Sequence, residues 1–335
     1  MPTTRPIPHL RWYVAILLCL ASELNYLDRQ ALSALKVTIQ QDLGFSELDY
    51  ANITTAFLLS YTVMYAVSGR IVDSIGTRLS FMLFVSGWSV ASMLHGLAHS
   101  VFQFQVMRFL LGVAEPGNFP AGVRAVSEWF PMRERALAVG IFNAGTALGS
   151  TLAIPLVSWL ALAYGWRPAF FITGTLGFVW VAIWFWLYQL PEQHPQLTPA
   201  ERALILAGRP QESTEAPVPI AKLLTLRATW GCIAARVLTD PITYFLQFWV
   251  PSYLQQERGF SLAQLGKYAW IPFAALAVGN IASGAIPRYL VSRGWTLHRA
   301  RKTTVFAVSC VAVVLLLLIT RADSPASALV CISGI

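Results

Sequence analysis

Residues 108–135, RFLLGVAEPGNFPAGVRAVSEWFPMRER, decide how the remaining chain is read. The stretch opens as an apolar helix carrying Arg108 and, seven residues on, Glu115. Two turns apart, the two side chains lie near one helix face. Ionisable groups inside a bilayer are costly; they face the bundle interior and mark ion or solute paths. The helix then loosens through Pro116, Gly117 and Pro120 and ends at a basic loop, Arg133-Glu134-Arg135.

Composition places that helix among others of its kind. The chain has 335 residues, 56% apolar and 12% charged, where a soluble domain has about a quarter charged. Apolar runs recur, each near the roughly 20 residues a spanning helix needs. The fold class is therefore an all-α polytopic membrane protein. The net charge of +8 is topological. Lys36, Arg167, Arg258, Lys267 and Arg321 fall on one side of the proposed spans, and most other loop cations, from Arg5 to Lys302, fall opposite. Basic residues concentrate in cytoplasmic loops, so the N-terminus is expected in the cytoplasm of a cell (inner) membrane protein, and nucleic acid is not an expected partner. Cys19, Cys232, Cys310 and Cys331 lie inside apolar stretches without metal-type spacing, which argues against a disulfide framework or zinc site. The first apolar run lacks a small-residue cleavage site, so no signal peptide is expected.

In chain order, helices are expected at 12–33, 51–71, 79–98, 102–126, 136–161 and 168–190. A polar segment, 191–226, follows, with a short amphipathic helix at 198–207. Further helices are expected at 228–254 (interrupted at Asp240-Pro241), 264–288 and 303–320. A final apolar stretch ends at Ile335, too short to cross. Gly145 and Gly149 have the small-xxx-small spacing of closely packed helices. The expected division is an N-terminal six-helix bundle at 1–190, a cytoplasmic linker at 191–226 and a partial C-terminal bundle at 227–335, about nine spans and a stub.

The loop GRIVDSIGTR at 69–78 resembles the signature between helices 2 and 3 of the major facilitator superfamily. NYLDR at 25–29, the pattern R-x-x-x-G-x-x-E-P-x-x-F-P-A from Arg108 and EWFPMRERALAVGIFNAG from Glu128 resemble its anion:cation symporter family. RVLTDP from Arg236 and GFSLAQLGKYAWIPF from Gly259 look most like bacterial hexuronate transporters. The resemblance implies a major facilitator-type bundle of two six-helix halves with substrate at the midplane between them. By that pattern the chain reads as C-terminally incomplete, as a fragment or a truncated product.

Several polar groups stand out along these helices. Asp28 and Arg29 are adjacent, so they point about 100° apart and cannot form one simple ion pair. A carboxylate in a low-dielectric interior can bind and release protons near neutral pH, and arginine grips a carboxylate with two parallel hydrogen bonds. Asp28 is accordingly a candidate proton site and Arg29 a substrate or gating contact. The family resemblance makes Glu115 a second proton-coupling residue, with Arg108 supporting it or the anion. Structural ion pairs between helices would look the same in sequence. Tyr26, Tyr61 and Asn143 are candidate sugar contacts, placed by the resemblance, with Thr146 an alternative to Asn143. Tyrosines also anchor helices at membrane interfaces. Arg236 and Asp240 are spaced to pair with each other at i,i+4, with substrate contact the alternative.

Gly69, Asp73, Gly76 and Arg78 are the candidate gate, the glycines permitting a tight turn. In the superfamily the aspartate faces the start of helix 11, which this chain does not reach. In GAIPRYLVSRG, Arg288 stands where an acidic residue is usual. No Gly-rich phosphate loop, catalytic triad or HEXXH is present, so the sequence offers no basis for an enzyme, a metal or a cofactor.

The expectation is proton symport of an anionic sugar acid, a hexuronate such as glucuronate or galacturonate, into the cytoplasm by alternating access. The alternatives are a symporter of galactonate or another organic anion, or a transport-inactive or ligand-sensing product. The partners are the sugar acid, protons and the lipid bilayer. Oligomeric state is not readable.

Overall fold

The computed structural model describes residues 6–207, 222, 224–322 and 324–334. Its first helix, α1 (Leu10–Leu43), outlasts its apolar run: beyond Arg29 it continues for almost four turns until Gly44, at φ 68°, turns the chain. The positive φ suits glycine, which has no Cβ to clash. Ser46 then opens α2 (Glu47–Ile75) with a capping box, its hydroxyl and the Asp49 carboxylate each accepting the other residue's amide. The expected tight loop at 69–78 is not a loop. Helix α2 runs through Gly69 to Ile75, Gly76 alone turns at φ 79°, and α3 (Thr77–His95) begins at once. Gly69 sits inside a regular helix, so only Gly76 has the conformational role expected of both.

The opening stretch is likewise divided. Helix α4 (Val101–Ala114) gives way to a 3-10 turn at Glu115–Gly117, and α5 (Asn118–Trp129) follows. Pro116 and Pro120 each lack an amide proton, which explains the change of winding there. Then come α6 (Met132–Tyr164), α7 (Trp166–Leu187) and the short α8 (Pro199–Ala207). Most of the expected 191–226 linker beyond α8 lies outside the described residues.

The remaining chain forms α9 (Arg227–Gln256), α10 (Leu262–Tyr268), α11 (Ile271–Ser292), α12 (Leu297–Ile319) and α13 (Pro325–Gly334). Asp240-Pro241 does not interrupt α9, which carries both Pro241 and Pro251 inside one helix. The helix expected at 264–288 divides into α10 and α11 at Ala269-Trp270. Among the described residues the only extended pairing is one bridge between Ile7 and Leu197. Among the described residues six segments are long and apolar enough to cross a membrane: α1, α2, α6, α7, α10 continued by α11, and α12.

Small residues decide how closely the helices approach. Helix α6 packs along α1 so tightly that a methyl group on Gly145 would overlap the Cys19 carbonyl oxygen, and one on Gly149 the Glu23 backbone. Gly174 and Gly177 on α7 play the same part against Ser89 and Met93 of α3. In a bilayer, where apolar burial between helices gains little, backbone approach of this kind supplies the packing.

Helix α9 meets α1 and α2 over only part of its length. From Arg227 to Thr243 it is mostly exposed, whereas Gln247, Phe248, Val250, Pro251, Ser252 and Leu254 are buried. Pro251 has no N–H to bond the Gln247 carbonyl, and Ser33 Oγ on α1 donates to that oxygen at 3.1 Å and to the Phe248 carbonyl at 3.0 Å. Tyr50 OH donates to the same Phe248 oxygen at 2.9 Å, and Lys36 Nζ bridges Glu47 at 2.5 Å and Ser252 Oγ at 3.2 Å. These contacts tie α9 to α1 and α2 at the end opposite the N-terminus.

Candidate functional site

Where α1 crosses the level of the 3-10 turn, its polar run meets that turn. Arg29 Nε and Nη2 both donate to Glu115 Oε2, at 2.8 and 2.6 Å. The side chains are 1% and 0% exposed, so the pair is fully removed from water. Asn25, one turn earlier, accepts from Arg29 Nη2 at 3.3 Å and donates to the Glu115 carbonyl oxygen at 3.4 Å. Three rings surround the guanidinium: Tyr26 at 4.5 Å, Tyr61 at 4.8 Å and Phe57 at 5.4 Å. Aromatic faces attract a cation without neutralising it. Glu115 Oε1 is buried without a hydrogen-bond partner among the described residues.

The expected pairing of Glu115 with Arg108 does not form. The turn at Glu115 swings its carboxylate to α1, and Arg108 instead donates from Nη2 to the Arg29 carbonyl oxygen at 2.9 Å. Arg108 Nη1 stays buried without a hydrogen bond among the described residues, while the guanidinium lies 5.5 Å from the Phe57 ring. Asp28 points away from Arg29, as adjacent helical residues must. Its Oδ1 accepts from Ser92 Oγ of α3 at 2.7 Å, and Oδ2 is buried without a partner at hydrogen-bonding distance among the described residues. Two carboxylates and two arginines therefore share one dry region while facing different helices.

Tyr26 and Tyr61 join this cluster through Arg29; Asn143 does not. Asn143 is exposed on α6, its recorded bond being acceptance of Thr146 Oγ1 by its backbone carbonyl at 2.8 Å. Arg236 and Asp240 pair with each other at 3.1 Å on an exposed face.

Residues that the sequence reading passed over complete the region. Asn118 donates to Ser22 Oγ at 3.0 Å, and its Oδ1 is unpartnered. Tyr244 packs on the core cluster that contains Phe57 and Tyr61, near enough to feel the Arg29 charge. Gln247 is buried with a free Nε2. A lone glutamine within the apolar run YFLQFWV is the signal that would have found it. Ser92, an ordinary serine in an apolar helix, carried none.

At the N-terminal end, Asp73 has a partner within the chain. Arg124 Nη1 reaches Asp73 Oδ1 at 3.2 Å and the Val72 carbonyl at 2.9 Å, with Nε on Glu128 at 3.0 Å. Arg78 Nη2 donates to the Phe185 carbonyl at 2.5 Å, tying α3 to α7. No group of three or more potential metal ligands occurs among the described residues.

The helices thus form a bundle with the Arg29–Glu115 ion pair buried within it. Residues 18–335 match the Major Facilitator Superfamily, and the chain belongs to it. It is 35% identical over 286 residues to the hexuronate transporter of Escherichia coli K12, covering 84% of this chain and 66% of that one. It is 35% identical over 284 residues to the galacturonate transporter of Dickeya chrysanthemi, covering 84% and 82%. The chain thus spans just under two thirds of the length of the E. coli relative. These relatives are named as transporters, and the superfamily is one of transporters rather than enzymes. The fold is that of the crystal structure of a bacterial homolog of the human lysosomal transporter Spinster, with TM-score 0.76 and 18% identity over 98% of this chain and 73% of that one.

Proposed function

We propose that the chain imports an anionic six-carbon sugar acid, a hexuronate such as galacturonate or glucuronate, together with protons. The observation that carries this reading is the Arg29–Glu115 pair, dry and ringed by Tyr26, Tyr61 and Asn25. Arg29 Nε and Nη2 are engaged, and Nη1 has no hydrogen bond among the described residues. A substrate carboxylate has to compete with Glu115 for that guanidinium. It succeeds when Glu115 takes up a proton on its unpartnered Oε1, because one buried arginine then faces one carboxylate charge instead of two. Proton uptake and anion binding become a single event. Asp28 is the second proton site, with Arg108 holding the Arg29 backbone in place. Tyr26 and Tyr61 present hydroxyls and ring faces to the sugar, joined by Tyr244 and Gln247 from α9. Asn143 stands as a more peripheral contact on α6.

Membrane potential, negative inside, opposes entry of one anion by about 2.3 kcal/mol per 100 mV. Two protonating carboxylates reverse that sign. Residues 1–190 act as a six-helix bundle, 191–226 as a cytoplasmic linker and 227–335 as part of a second bundle, about nine crossings and a short last segment in the cell membrane. With the N-terminus in the cytoplasm, the end closed by Ser33, Lys36, Tyr50 and Ser252 is the outer one. The cytoplasmic gate is the segment Gly69, Asp73, Gly76 and Arg78, held to Arg124 and Phe185. Alternating access then consists of opening the first set of contacts while closing over the second.

The test is uptake of labelled galacturonate into proteoliposomes under an inward proton gradient. Accumulation that a protonophore abolishes is expected; equal uptake with and without the gradient would overturn proton coupling.

A further inference from the structure

Glu23 is a titratable residue on α1 that the mechanism above leaves unused. It is half-buried, in mid-helix, with no hydrogen bond or ion pair to its carboxylate among the described residues. Its backbone is the surface on which Gly149 of α6 packs. A carboxylate at that depth facing lipid would be costly, so such a group belongs on the bundle interior or a water-filled hollow. The helix itself indicates which. Glu23, Tyr26 and Arg29 follow at three-residue steps, each about 60° round from the last. Tyr26 lies between them in angle and covers the Arg29 guanidinium at 4.5 Å. Helix α9 bonds to α1 only from Ser33 onward, so at the level of Glu23 it makes no hydrogen bond to α1.

We propose that Glu23 sets the charge of the accepted substrate: it admits sugar acids with one carboxylate and rejects six-carbon dicarboxylates. This rests on the transport reading above. Glu23 and Arg29 are separated by about 9 Å along the helix axis. The terminal carbons of an extended six-carbon chain lie about 6 Å apart, given C–C bonds near 1.5 Å. With one end of the substrate on Arg29 and its body along Tyr26, the other end reaches toward Glu23. There a hydroxyl or hemiacetal donates to the Glu23 carboxylate, whereas a second substrate carboxylate meets a like charge. Discrimination against a wrong partner by an uncompensated like charge is a standard route to specificity.

The experiment is competition for labelled galacturonate uptake in proteoliposomes by unlabelled galacturonate, galactonate and galactarate. Galactarate, the dicarboxylate, is expected to compete weakly in the native chain. Glu23→Gln is expected to raise galactarate relative to galacturonate about tenfold, the size of one largely water-screened like-charge contact. Glu23→Asp, which keeps the charge, is expected to keep the exclusion. Thermal-shift titration of the detergent-solubilised variants with the same three acids reads binding where a variant transports poorly. An unchanged galactarate-to-galacturonate ratio in Glu23→Gln overturns this assignment and leaves the transport reading standing, as does a native preference for galactarate. Absence of uptake and binding of all three acids by the native chain overturns both.

Discussion

Between Asp28 and Arg29, one peptide bond apart on α1, the helix sends one side chain to Ser92 and the other to Glu115. That division lets two adjacent charges serve different ends: Arg29 is neutralised by a partner 86 residues away, while Asp28 is held by the Ser92 hydroxyl. In Glu115→Gln the amide cannot exchange a proton, yet it still accepts from Arg29. Proton-driven accumulation is expected to vanish while substrate exchange across proteoliposomes persists. Retention of full active uptake by that variant would remove Glu115 from the coupling.

Helices supply the next scale. Gly149 lets α6 touch the α1 backbone beside Glu23, so Gly149→Leu is expected to force the helices apart and lower the melting temperature in detergent, with a cost of about 1–3 kcal/mol. An unchanged melting curve would show that the seam is loose. Helix α8 docks differently. Glu201 accepts from the Leu10 and Arg11 amides at 3.1 and 3.3 Å and from Arg11 Nη1 at 2.7 Å, while Arg11 also binds Glu134 at 2.8 Å. The carboxylate caps the positive end of α1.

Ahead of α8, His194 accepts the Gln196 amide on Nδ1 at 3.2 Å, contacts the Leu187 carbonyl through Nε2 at 3.0 Å and meets the Trp129 ring edge-on at 5.6 Å. Arg202 of α8 donates to the His194 carbonyl at 2.7 Å. Burial lowers the His194 imidazole below its ordinary value, the Leu187 carbonyl opposing that and Arg202 adding to it. A lowered folded value means stability present above the unfolded imidazole range and lost as pH falls through the folded one. Amides 199–207 are therefore expected to lose hydrogen-exchange protection on acidification below about pH 6.5, after correction for intrinsic rate. His194→Asn is expected to flatten that dependence; constant protection would dissociate His194 from the docking.

At the scale of the molecule, α9 is bonded to α1 and α2 around Phe248 and Ser252 and exposed over its first half. A transporter that works by rocking has to break these few polar contacts in every cycle. In a chain freed of its native cysteines, Lys36→Cys with Ser252→Cys, bridged by a short reducible bifunctional thiol reagent, is expected to lose uptake. Reductant restores it. Continued uptake in the cross-linked state would show that this end need not open.

The apolar runs, the basic loops and the Gly145–Gly149 spacing made a helical membrane bundle legible from sequence, because a bilayer imposes helix length and charge placement locally. The polar run at 25–29 and Glu115 marked the centre for the same reason: ionisable groups in an apolar context stand out one residue at a time. Partnership did not stand out. Whether Glu115 would meet Arg108, seven residues away in the sequence, or Arg29 depended on the 3-10 turn through Pro116, which carries the carboxylate to α1. The links of Asp73 to Arg124 and of Pro251's freed carbonyl to Ser33 joined separate helices in the same way. Sequence alone determined which ionisable groups sit within apolar helices; only the packing of one helix against another decided which charge neutralises which, since those energies depend on distances that no single helix contains.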